Sequence, residues 1–249
     1  MVGGRYPQGR GLHCAPGPQR RPRKLFPEHA WLGSSQTRVI KSCLSKRGSK
    51  FRPRVGCNGR VSDDRTRLVG DRLVLREFVE TDEPAVHSYA SDPMVTQFMD
   101  WGPNSIEDTR VFLGGVLKQQ GAAPHRTAFD LAVVDIESQA LIGSAALSVT
   151  SVEHRRGEIG YVLHPDFWSK GLATEAARIL LRFGFGELQL RRISATCHPD
   201  NHASARVLEK AGLVFEGRMR SHMFVRGEWR DSLLYAVVCD DSGCPSSQL

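Results

Sequence analysis

The stretch from residue 157 to 197 constrains the fold more than any other part of the chain. Residues 157–163 read as a strand, 174–185 as an amphipathic helix and 192–197 as a second strand. A strand that returns through a helix lies parallel to its predecessor, and such crossovers are right-handed in nearly all cases. The strands before it pattern differently. Residues 128–134, 141–148 and 157–163 are short alternating or apolar runs joined by polar turns, which is an antiparallel meander. One parallel pair is therefore set into an otherwise antiparallel sheet. In the helix, Ala173, Ala176, Ala177, Leu180 and Leu181 share one face, with Glu175, Arg178 and Arg182 opposite. Gly184 and Gly186 are positioned to end it.

The remaining elements follow the same signals. Residues 73–76 form the first strand. Thr81-Asp82-Glu83-Pro84 starts a helix that Asp92-Pro93 breaks, with a short helical turn at 95–99. Ser105 and Asp108 resemble a capping box ahead of a helix whose Val111, Phe112, Val116 and Leu117 face one way. Residues 201–211 form a further amphipathic helix closed by Gly212. Strands at 213–216, 222–225 and 232–238 end the chain, the last two joined by an Arg226-Gly227-Glu228 turn. The expected class is α/β (α+β), a mixed, mostly antiparallel sheet of about seven strands with about four helices, as one domain over 67–240 and a short tail at 241–249.

Charge marks the domain boundary. Residues 1–60 hold 14 of the 34 Lys+Arg and a single acid, Glu28, and so carry +13, whereas residues 61–249 carry −6. Residues 1–66 are rich in Arg, Gly, Pro and Ser without apolar periodicity, so disorder is expected there. They lack the apolar core of a secretory signal. Three readings stay open: an organelle transit segment, a basic arm for nucleic acid or ribosomes, or sequence upstream of the true start. The next Met is Met94, so a later start would use a non-Met codon such as that of Val55, Val61 or Val69. A cytoplasmic location is expected unless the leader is a transit segment. No run approaches the ~18–20 apolar residues of a membrane helix, so no membrane partner is expected. Cys14, Cys43, Cys57, Cys197, Cys239 and Cys244 form no CxxC pair, which excludes zinc-ribbon spacing and favours free thiols. No metal is expected.

Two segments carry the chemistry. Residues 164–176 read His-Pro-Asp-Phe-Trp-Ser-Lys-Gly-Leu-Ala-Thr-Glu-Ala and join the strand to the helix. Small residues at Gly171 and Ala173 let a ligand approach the backbone. Ser169, Lys170, Gly171, Leu172, Ala173 and Thr174 then present N–H donors at a helix N-terminus, which favours phosphate through donors and dipole together. The loop is neither a Walker loop nor a GxGxxG fingerprint. From the residues alone it is a diphosphate site or a turn using glycine for geometry. The second segment, Pro199 to Gly212, sets Asn201 and Ser204 three apart at a helix start, where Asn201 is a ligand contact or simply an N-cap.

Together the two segments are more specific than either alone. Tyr161-Val162-Leu163 ahead of Trp168-Ser169-Lys170-Gly171-Leu172-Ala173-Thr174-Glu175-Ala176 resembles the acetyl-CoA signature of the GNAT N-acetyltransferase superfamily. Asn201-x-x-Ser204-x-Arg206-Val207-Leu208-Glu209-Lys210-x-Gly212 is similar to the helix that follows in its RimJ/RimL-like branch. The resemblance covers roughly 67–240. It implies acetyl transfer from acetyl-CoA, as co-substrate, to an amine acceptor: a peptide N-terminal α-amine or a small amine. It implies a pantetheine arm in the opening between the strands at 157–163 and 192–197, paired with backbone at Tyr161, Val162 and Leu163. The 169–174 loop would cradle the diphosphate, Asn201 would contact the pantetheine arm, and Ser204 would lie near the sulfur.

One position departs from the commonest pattern. Many members carry a proton-donating Tyr on the helix after the Asn; the matching residue here is Leu208. Ser204 is then the candidate acid, directly or through water. Glu158, on the opening strand, is the candidate base for the amine. Glu216, Asp231, His198 and His222 are weaker candidates. Phe98, Met99, Asp100 and Trp101 are candidates for the acceptor wall, and Trp101, Phe129, Trp168, Trp229 and Tyr235 for core or pocket walls. Two other functions stay open, a non-catalytic acyl-CoA-binding module and a ribosome- or nucleic-acid-associated protein acting through the leader. The chain is expected to be a monomer or homodimer.

Overall fold

A computed structural model describes residues 66–120 and 126–239. The tail and nearly all of the expected leader lie outside these, as do Cys14, Cys43, Cys57 and Cys244. Among the described residues, eight strands form one sheet: β1 (Arg67–Val69), β2 (Leu73–Glu77), β3 (Ala128–Asp135), β4 (Leu141–Ser151), β5 (Arg156–Leu163), β6 (Arg192–Cys197), β7 (Val214–Val225) and β8 (Glu228–Val238). Their spatial order is β1-β2-β3-β4-β5-β6-β8-β7. The β5–β6 pair is parallel and every other pairing is antiparallel. The helices are α1 (Glu83–Ala90), α2 (Pro93–Thr96), α3 (Ile106–Gln120), α4 (Leu172–Gly186) and α5 (His202–Lys210).

The mixed sheet with its single parallel crossover and the Arg226-Gly227 turn are as expected, and two strand details differ. Strand β1 is three residues long, too short to show alternation, and pairs back onto β2. The stretches expected as separate strands at 213–216 and 222–225 are one strand, β7. Its register against β8 shifts between Phe215 and Gly217 and between Met219 and Met223. Each shift inserts unpaired residues, which breaks the period of two that marks a strand in sequence. The β7–β8 turn sits at Arg226 and Gly227, with φ of +51° and +88°, the left-handed pair that matches a hairpin's twist.

Alternation along the central strands sends side chains to two layers. Leu131 and Val133 of β3 pack with Ile179, Leu180 and Leu181 of α4, whereas Ala132 joins Val86, Phe112 and Val116 of α1 and α3 on the other face. Each large side chain so buried contributes roughly 1.5–3 kcal/mol. Gly184 does not end α4 as expected. It is buried within the helix, and a Cβ there would lie 2.5 Å from Ile193 Cδ1 and 2.9 Å from Leu147 Cδ1. The glycine lets α4 sit close on the sheet. The capping box is present: Ser105 N–H donates to Asp108 Oδ2 at 3.0 Å and Asp108 N–H to Ser105 Oγ at 3.1 Å. Cys197 is a free, buried thiol. Cys239 is disulfide-bonded, which corrects the expectation of a free thiol there.

Candidate active site

The parallel pair does not run its full length. β5 and β6 are in register only from Arg156↔Arg192 to Glu158↔Ser194. Beyond that, β6 stays paired with β8 as far as Cys197, and β5 stays paired with β4 as far as Leu163. The edge of β5 over 159–163 therefore faces an opening in place of a neighbouring strand, and alternate residues, Tyr161 among them, turn their backbone groups toward it. A cavity of about 870 Å³ occupies this opening and is lined from both faces of the sheet.

At one end lies the loop after β5. Trp168 Nε1 donates to Leu163 O at 2.8 Å, which turns the chain back over the strand end. Ser169 and Gly171 take φ of +59° and +79°. Gly171 is the N-cap of α4 and supplies no side-chain cap, so the first-turn amides face the cavity without an internal partner. Ser169, Gly171, Leu172, Ala173 and Thr174 line the cavity. Lys170 does not; its Nζ lies 5.2 Å from the centre of the Phe167 ring. Leu172 is a core side chain, so only its backbone can serve a ligand.

A brace that sequence reasoning missed holds this loop. Arg72 donates through Nη1 to Lys170 O and through Nε to Glu175 Oε2, both at 2.9 Å. Glu175 Oε1 in turn accepts from the N–H groups of Arg72 and Leu73 at 2.7 and 3.1 Å. Arg72 lies in the β1–β2 turn, about a hundred residues away in sequence, and no local pattern marks it. Glu175, expected on the solvent face, is the other half of the brace.

Helix α5 forms the second wall. Asn201 is its N-cap, with Oδ1 accepting from Ser204 N–H at 3.0 Å, so the capping role is real, and the residue also lines the cavity. Tyr161 Oη lies 3.1 Å from Ser204 Oγ and 3.3 Å from Ser204 O, so its single hydrogen can be donated to either oxygen. Burial holds the Tyr161 phenol above its ordinary pKa, partly offset by the bond to Ser204. Leu208 is 1% exposed and belongs to the core. Cys197 is pushed up to about 11 by burial and the nearby Glu209.

The opposite wall is acidic. Asp130, Ala146 and Gly160 are cross-strand neighbours on β3, β4 and β5. The small residues leave room, and Asp130 keeps its remaining exposure toward that space. Burial pushes its carboxyl up to about 6, against an ordinary 3.8. Glu158 shares this face and is likewise raised, first by burial and then by the charge of Asp100, with a hydrogen bond from Thr196 acting the other way. Asp100 is raised by burial. Asp130 was missed because a lone acid in an apolar strand carries no motif.

Known proteins share this fold. The acetyltransferase (GNAT) domain family matches residues 72–214. An uncharacterized N-acetyltransferase of Bacillus subtilis, YnaD, is 36% identical over 167 residues, covering 67% of this chain and 94% of its own length. The chain belongs to the GNAT acetyltransferase family. A crystal structure of a GNAT-family acetyltransferase from Bacillus anthracis superposes with a TM-score of 0.62 at 36% identity, over 70% of this chain and 98% of that one. Mycobacterium smegmatis RimJ in complex with CoA-disulfide has the same fold, with a TM-score of 0.63 at 23% identity over 74% and 92% of the two chains.

Within this GNAT domain the weaker candidates separate. Glu216 is paired with Arg192, which lowers its pKa. Asp231 accepts from Ser221 N–H at 2.8 Å and from Arg218 Nε at 2.7 Å, and these hold it low. His222 bonds Ser232 Oγ through Nδ1 at 3.0 Å and is lowered by burial. His198 stacks on Phe98 with centroids 5.2 Å apart. Phe98, Met99 and Asp100 line the cavity, whereas Trp101 packs in the α1–α3 core. Phe129 and Tyr235 are core and Trp168 is wall; Trp229 is 65% exposed and so not core, and it lines a second, open pocket beside Phe98 and His198. Among the described residues no group of three or more His, Cys, Asp or Glu could hold a metal, and no helix is long and apolar enough to cross a membrane.

Proposed function

We propose that this domain, over residues 67–240, transfers an acetyl group from acetyl-CoA to a primary amine by direct attack in a ternary complex. The observation that carries the reading is one continuous cavity. It runs from the uncapped N-terminus of α4, past the unpaired edge of β5, to the carboxylates on the far wall. Diphosphate belongs at Ser169 to Thr174, where backbone N–H groups and the helix dipole favour it. Arg206 and Lys210 on the same side add positive charge. Pantetheine belongs along Tyr161, Val162 and Leu163, with Asn201 as a further contact, because β5 has no neighbouring strand on that side beyond Glu158.

The acceptor amine belongs against Asp100, Asp130 and Glu158, where three acids favour a cationic amine over an anionic partner. The acceptor class is a protein N-terminal α-amine or a small amine. An α-amine, with a pKa of about 8, is partly neutral already, whereas a Lys side chain near 10.4 relies more on a base. Glu158 takes the amine proton, directly or through water. The N–C bond forms as the C–S bond breaks, and Ser204 donates its hydroxyl hydrogen toward the departing sulfur. A CoA thiol with a pKa of about 8.5 is a tolerable leaving group.

The test is release of CoA thiol from acetyl-CoA over a panel of peptides with free N-termini, diamines and polyamines. Thiol release with mass-verified acetylation of one acceptor class is expected. Tight acetyl-CoA binding with no acceptor acetylated overturns catalysis in favour of a binding module.

A further inference from the structure

Ser204 alone is a poor source of the leaving-group proton. A serine that gives up its hydrogen becomes an alkoxide, a far stronger base than the thiolate it would protonate. A second, more acidic hydroxyl behind it lessens that difficulty, because a phenolate is a weaker base than an alkoxide, and Leu208 cannot be that group. We propose that Tyr161 is the residue behind Ser204, positioning its hydroxyl and refilling the serine oxygen with the phenolic hydrogen as the thiolate leaves.

The geometry supplies each part. Tyr161 Oη lies 3.1 Å from Ser204 Oγ, within hydrogen-bonding range. Asn201 holds the backbone of the same serine through its N–H at 3.0 Å. When the phenol donates to Oγ, and not to the Ser204 carbonyl it also reaches, the serine's own hydrogen is free to point into the cavity that both residues line. The phenol comes from β5, on the face of the sheet that packs toward α4 and α5. Glu158, an odd number of residues away on the same strand, faces the opposite side. Proton removal from the amine and proton delivery to sulfur thus fall on opposite sides of the opening. Burial keeps the phenol protonated between turnovers, so it enters each cycle with its hydrogen in place.

The step balances. The amine nitrogen bonds the carbonyl carbon and the C–S pair moves to sulfur. The Ser204 hydrogen follows that pair, and the Tyr161 hydrogen moves to Ser204. The proton taken by Glu158 is released to water, and water restores the phenol.

This inference rests on Ser204 as donor, and the experiment separates the two. Tyr161→Phe, Ser204→Ala and the double variant are compared with the wild type by steady-state thiol release, with melting and acetyl-CoA titration as folding controls. Tyr161→Phe and Ser204→Ala are each expected to lower kcat about 10–100-fold with little change in KM for acetyl-CoA. The double variant is expected to be no slower than the slower single, because the pair acts as one unit. An unimpaired Tyr161→Phe beside an impaired Ser204→Ala overturns the role of Tyr161 alone. An unimpaired Ser204→Ala overturns the donor reading and this inference with it. Multiplicative losses in the double variant, or a loss in Tyr161→Phe carried by KM or by folding, make Tyr161 a wall residue and also overturn the inference.

Discussion

The chemistry at Glu158 turns on one carboxyl held above its ordinary range by burial and by the charge of Asp100. A base works only when deprotonated, so kcat/KM should rise with pH through that raised pKa and flatten above it. Glu158→Gln should lower kcat/KM by about 100-fold near neutral pH and remove that low-pH limb. A pH series of thiol-release rates on both proteins checks this, and an unchanged limb in the variant assigns the base elsewhere. Linkage runs the other way for stability. A carboxyl whose folded pKa is raised binds its proton more tightly in the fold, so it favours the fold at low pH and loses that contribution as pH rises through the folded pKa. For Asp130 the window lies between its ordinary 3.8 and about 6. The cost of a charged Asp130 at neutral pH is explained if a cationic acceptor neutralises it. Asp130 was not legible in sequence as part of the site, because an isolated acid in an apolar strand has no spacing to read, whereas Asp100 was read there with its neighbours Phe98 and Met99. Ser204 and Asn201 were legible because their spacing at a helix start is itself a pattern.

Among the elements, α4 does two jobs that its sequence states unequally. Its apolar face was plain from the period, and the face is buried as read. The close approach at Gly184 was not, because a glycine near a helix end reads equally well as a cap. The brace from the β1–β2 turn was also hidden, since β1 is too short to announce a strand and Arg72 meets Lys170 and Glu175 only in the folded chain. That brace sets where the loop's amides point. Arg72→Ala should therefore raise KM for acetyl-CoA several-fold while leaving kcat nearly unchanged, as expected for loss of uniform binding. Arg110→Ala, which removes an exposed pair with Glu83, serves as a control and should leave both constants alone. Steady-state kinetics over an acetyl-CoA series distinguishes these outcomes. The late strands show the converse limit: bulges at Gly217 and around Ser221 break β7 in sequence although it is continuous in the sheet.

Across the whole molecule, residues 61–249 carry −6 and yet are assigned a polyanionic cofactor. The distribution of charge resolves this. Cationic side chains and helix amides gather at the α4 and α5 end of the cavity, and the acids gather at the acceptor wall. The mixed sheet, the crossover and the loop at its end were all readable from residues 157–197, because one parallel pair in an antiparallel sheet leaves few topologies. The opening itself was expected from resemblance; its extent depends on where β5–β6 pairing stops, and that is a property of the packed sheet. The central claim is that acetyl-CoA enters this opening with its diphosphate on the 169–174 loop. Calorimetric titration of acetyl-CoA into the wild type and Gly171→Glu tests it most directly. Gly171 has φ of +79° and is solvent-exposed, so the substitution brings strain of about 1–2 kcal/mol together with a negative charge where phosphate belongs. The account predicts clear binding to the wild type and none to a variant that still melts cooperatively; equal binding to both would contradict it.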